Sequence, residues 1–119
     1  MVSAWDLIKE HRFEDARVAA DAEYARSGSL LPLRNKVLAL LCLREYDKAA
    51  ALSTAIIDRD SQTDSDYIFL GVSQWLRGQH DAAVASWHAA LRTKYADAAG
   101  GVEAPLFLYM WRFVWTQGS

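Results

Sequence analysis

Three alanines set the frame for this chain. Ala16, Ala49 and Ala83 recur at a nearly constant interval, and each follows an aromatic or histidine residue by three positions: Phe13, Tyr46 and His80. A period of roughly 34 residues belongs to helical hairpins laid side by side, each too small to bury its own apolar face and therefore obliged to stack on a neighbour. The period predicts one all-α domain over residues 1–119, built as a short solenoid of about three hairpins.

Helical spacing and stop signals place the elements. The first hairpin pairs a helix from about Ser3 to Glu10, with Ser3 as its cap, and a helix from about Phe13 to Arg26. Ser27-Gly28-Ser29 ends it, and Pro32 suits the first turn of the next segment, where a missing N–H costs nothing. The second hairpin runs from about Leu31 to Cys42 and from about Tyr46 to Arg59, and its first helix is apolar on most sides, as a covered central element would be. A polar link rich in aspartate follows, in which Asp64 or Ser65 is positioned to cap the third hairpin, expected from about Asp64 to Arg77 and from His80 to about Tyr95. Gly71 and Ala83 would let the helices of that hairpin approach closely. Beyond Leu91 the period fails: Gly100-Gly101 interrupts the chain, and an aromatic helix is expected from about Ala104 to Thr116, for about seven helices in all.

Tyr67, Leu70, Gly71, Gly78, Ala83, Trp87, Ala90 and Leu91 resemble the tetratricopeptide (TPR) pattern W-x2-L-G…A-x3-F. The resemblance covers Trp5 to Leu91 and is most specific in the third unit. It implies that the first helix of each hairpin lines a concave binding face, which here would carry Trp5, Lys9, Arg34, Leu38, Leu41, Ile68, Val72 and Trp75. Some TPR domains grip a C-terminal carboxylate with Lys, Asn and Arg; Trp5, Leu38 and Val72 stand where that grip would want Asn, so this face reads as apolar and aromatic. Trp75 is the natural anchor, with core packing as its alternative role, since Trp is over-represented among residues that dominate interfaces.

Little in the chain points to chemistry. His11, His80 and His88 are the only histidines; no H-E-x-x-H, C-x-x-C, P-loop, G-x-G-x-x-G or G-x-S-x-G is present, and no catalytic, metal or cofactor residue is assigned. Cys42 is the single cysteine, which rules out an internal disulfide and leaves a small buried hydrophobe as its expected role. Hydrophobic content of 52% with 24% charged residues excludes a disordered chain. A net charge of −2 argues against a nucleic-acid binder, and no apolar run long enough to span a membrane occurs. With a start unlike a signal peptide, these features place the chain in the cytoplasm as an expectation.

The expected work is therefore binding one protein partner. The segment Tyr95 to Glu103 followed by an aromatic helix is similar to the tail of small stand-alone TPR-like proteins that act as immunity partners of bacterial toxins. That resemblance implies inhibition of a toxin, a basic nuclease among the candidates, by an interface drawing on Trp5, Arg34, Leu38, Asp64, Asp66, Ile68, Val72, Trp75, Asp97 and Glu103. The alternatives are a scaffold subunit that self-associates through the last helix and a peptide-binding adaptor.

Overall fold

The computed structural model describes residues 2–60 and 63–94, and every regular element among them is an α-helix: α1 (Ala4–Lys9), α2 (Phe13–Ser27), α3 (Leu30–Cys42), α4 (Tyr46–Arg59), α5 (Asp64–Leu76) and α6 (His80–Lys94). The expected helix over Ala104 to Thr116 lies outside the described residues. None of the described helices is long and apolar enough to cross a membrane.

The three hairpin turns are one backbone written in three sequences. In each, the N–H of the residue after the turn reaches back five positions to a helix carbonyl: Arg12 to Leu7 (2.9 Å), Glu45 to Leu40 (2.9 Å) and Gln79 to Gln74 (2.8 Å). Inside it lies a shorter bond, His11 to Ile8, Arg44 to Leu41 and Gly78 to Trp75 (3.0, 3.1 and 2.9 Å). This pair of bonds is the Schellman arrangement, and it requires a left-handed residue at the turn. His11, Arg44 and Gly78 take that role with φ of 61°, 64° and 83°, repeating the alanine period. The next helix then opens identically, Ala16, Ala49 and Ala83 donating to Arg12, Glu45 and Gln79 at 2.9, 3.0 and 3.0 Å. All three alanines are fully buried, because a side chain larger than methyl would hold the paired helices apart.

The links between hairpins differ. Gly28, at φ 66°, ends α2, and Ser29 caps α3 by accepting from the Leu31 N–H at 3.2 Å. The longer link into α5 has Thr63 at the cap position without a side-chain cap bond. Asp64 and Ser65 thus fall inside the first turn and do not cap it, contrary to the sequence expectation. At the N-terminus, Ser3 accepts from the Asp6 N–H at 3.1 Å while the Asp6 carboxylate faces the Ser3 N–H, a reciprocal cap. Glu23 of α2 accepts the Ala4 N–H at 2.8 Å and ties the first hairpin shut.

Each helix packs on the next in sequence, and α3 also touches both α1 and α5, so the first helices of the hairpins form one contiguous layer. The main core fills the space among α3, α4, α5 and α6 around Leu40, Leu41, Ile56, Val72 and Trp87. A smaller cluster of Leu7, Ile8, Ala16 and Ala39 seats the first hairpin on α3. Gly71 fixes the α5–α6 crossing: a Cβ there would lie 2.2 Å from the Trp87 indole nitrogen, which instead slides over the bare backbone and donates to the Ile68 carbonyl at 3.1 Å. Ser53, buried in α4, has no hydrogen-bond partner for its hydroxyl among the described residues, and nothing in their arrangement explains it.

Candidate partner-binding surfaces

Of the residues singled out on the first helices, Leu41, Ile68 and Val72 are buried, Arg34, Leu38 and Trp75 are half-buried, and Trp5 and Lys9 are exposed. Leu41 and Val72 are fully buried and Ile68 nearly so, all within the main core. They hold α3 and α5 in the stack, so in this arrangement they cannot touch a partner. Leu38 is half-buried against the smaller cluster.

Arg34 and Asp66 answer each other across the hairpin boundary. The Arg34 guanidinium of α3 donates from Nε and Nη2 to the Asp66 carboxylate of α5 at 2.9–3.1 Å, and Nη2 also approaches Thr63 Oγ1 at 3.3 Å and Asp60 Oδ2 at 3.5 Å. Asp66 is 3% exposed, so its charge is sustained by this forked pairing and is not offered to a partner. The pairing in turn holds Arg34 above its ordinary range, its hydrogen bonding to Asp66 being the main cause. Arg34 therefore clamps the link between the second and third hairpins.

Trp75 is half-buried and stacks with two rings, its centroid 4.1 Å from that of His80 and 5.7 Å from that of Trp87, at interplanar angles of 27° and 26°. Its alternative role, packing, is the one the geometry displays among the described residues. His80 joins the stack from the start of α6 and remains exposed. Asp64 sits half-buried in the first turn of α5. Asp97 and Glu103 lie outside the described residues.

The large apolar residues that remain outward include Trp5 from the first-helix set together with others. Trp5 is 49% exposed on α1, Val2 is exposed ahead of that helix, and Leu31 (61%) lies in the first turn of α3. Trp5, Leu38 and Val72 stand at the same intervals as the three alanines, yet their exposure falls from Trp5 through Leu38 to Val72. Leu38 and Val72 each have a described hairpin before them in sequence; Trp5 has none among the described residues, and about half of it is open to solvent.

Sequence reasoning overlooked a groove on the second-helix side. Between α2 and α4, with α3 as its floor, lies an open cavity of about 580 Å³ lined by Arg17, Val18, Asp21, Lys36, Leu40, Lys48, Ala51 and Leu52. The signal was present: Val18 and Ala51 are separated by the same interval as Ala16 and Ala49, hence equivalent, and Val18 is an apolar residue among the charges of α2. The TPR resemblance drew attention to the first helices instead. Cys42 is half-buried, not buried, and its thiol is pushed above the ordinary range by desolvation, which disfavours thiolate chemistry. Compared with known proteins, the chain matches no family model, no curated protein and no solved structure.

Proposed function

We propose that the chain is a TPR-like protein-binding module, a short solenoid that holds or neutralises one protein partner. The observation that carries the reading is the recurrence of the same turn in step with the alanine period, with the first helices in mutual contact. A stack of that kind spends its sequence on repeating a surface, and it suits binding better than catalysis. The concrete form we favour is an immunity protein that blocks a cognate toxin, with Trp5 as the apolar contact left outside the core. Co-expression with the products of neighbouring genes, followed by affinity capture, tests it. One small folded protein recovered in equimolar amount, toxic by itself and bound with a Kd of roughly nanomolar or below, supports the reading. Capture of nothing in that experiment removes the toxin form of it.

Self-association is the second reading, and the exposure of Trp5, Val18 and Leu31 is what favours it. Sedimentation at high micromolar concentration decides: a monomer there excludes the scaffold.

A further inference from the structure

The groove between α2 and α4 has a charge character opposite to that of the chain. Arg17, Lys36 and Lys48 line it against a single carboxylate, Asp21, although the protein carries a net −2. Glu14 and Glu45, the carboxylates that pair with Arg17, do not line it, and the 2.8 Å bond of Lys48 goes to that same Glu45. Within the groove, Lys36 meets Asp21 at 2.8 Å. Between the cations lie apolar surfaces: Leu52 toward the floor, Ala51 on α4, and Val18, which is 63% exposed.

We propose that this groove docks a short acidic segment of a partner, one that lays a large apolar side chain over Val18, Ala51 and Leu52 and sets carboxylates against Arg17, Lys36 and Lys48. The existing ion pairs do not forbid this. They are solvent-accessible pairs of the kind worth about 0–1 kcal/mol each, and a lysine ammonium with three donors or a guanidinium with five accommodates a second carboxylate readily. The apolar strip supplies the affinity and the cations select the partner and its orientation. The volume falls within the ordinary range of ligand clefts. This surface lies apart from Trp5, and the inference stands whether or not the protein is an inhibitor.

The test is a titration of the 15N-labelled full chain with two blocked synthetic peptides of equal length, Leu-Phe flanked by glutamates and Leu-Phe flanked by lysines. The glutamate peptide should give saturable shifts at the amides of Val18, Ala51 and Leu52, and raised salt should weaken it. Val18→Glu, at an exposed position that leaves the fold intact by circular dichroism, should weaken binding about tenfold or more, equivalent to about 1.4 kcal/mol; Lys36→Gln should weaken it severalfold. Equal binding of the lysine peptide, shifts centred away from the groove, no saturation, or indifference to both variants would overturn the proposal. Groove shifts that appear on concentrating the protein alone would overturn it too, in favour of a second copy as occupant.

Discussion

At the scale of single residues, two backbone positions bear the most weight. Gly71 exists so that Trp87 can lie against α5; an added methyl would meet the buried indole at 2.2 Å. Gly71→Ala should therefore cost roughly 1–3 kcal/mol of stability by overpacking, despite the helix propensity of alanine, and chemical denaturation will measure it. Arg44 is the opposite case. It occupies a left-handed turn position, φ 64°, that the third hairpin gives to Gly78. Left-handed backbone costs a side-chain-bearing residue about 1–2 kcal/mol, and glycine returns about 0.5–1 of that through greater freedom in the unfolded chain. Arg44→Gly should thus stabilise the fold by roughly 0.5–1 kcal/mol, seen as a higher denaturation midpoint at unchanged slope. Gly71 was legible in the sequence because small residues at a repeat position announce a crossing. The strain at Arg44 was not, because the spacing places a turn between Cys42 and Tyr46 without saying which residue there takes the left-handed backbone.

At the scale of elements, caps and clamps decide where helices begin and how hairpins join. The α4 limits, Tyr46–Arg59, coincide with those expected, and the other helices differ by a residue or so at their ends. The start of α5 at Asp64 matches the expectation, but its cap residue was misread because an aspartate-rich link offers several capping candidates, and only Arg34, on a different hairpin, selects among the carboxylates. Pairing across hairpins is a tertiary fact that spacing alone did not reveal. Asp66→Asn should leave Arg34 with Asp60, Thr63 and a route to water, and cost about 3 kcal/mol, the low end for breaking a buried pair. Arg34→Met should cost more, since it strands the Asp66 charge, and thermal denaturation of the two variants will rank them. The α1 cap gives a pH prediction. The Ser3 hydroxyl, then Lys9, holds Asp6 below its ordinary value of 3.8, and Lys48 followed by Arg17 holds Glu45 below 4.5. A carboxylate depressed by folding contributes stability that is complete above its ordinary value and lost as pH falls through the folded one. Melting temperature should accordingly decline as pH drops below about 4, and Asp6→Asn should flatten part of that decline.

At the scale of the whole molecule, the stack is unevenly held. One large core joins α3 through α6, and Arg34 ties its two hairpins together, whereas the first hairpin rests on the smaller cluster of Leu7, Ile8, Ala16 and Ala39. Native-state hydrogen exchange should find the α1 and α2 amides opening at lower free energy than those of α4 to α6; uniform protection would contradict this. The same unevenness explains why an interface was hard to read from the sequence. Ile68, Val72 and Trp5 look alike as apolar residues on first helices, and only the packing of a preceding hairpin separates core from surface. The turns carry one further consequence. Because the backbone enters and leaves His11, Arg44 and Gly78 along the same path, these are natural splice points. A gene in which the stretch from Arg12 to Arg44 is duplicated would return the chain to its own course with one more hairpin, so the length of this stack is open to editing in whole units.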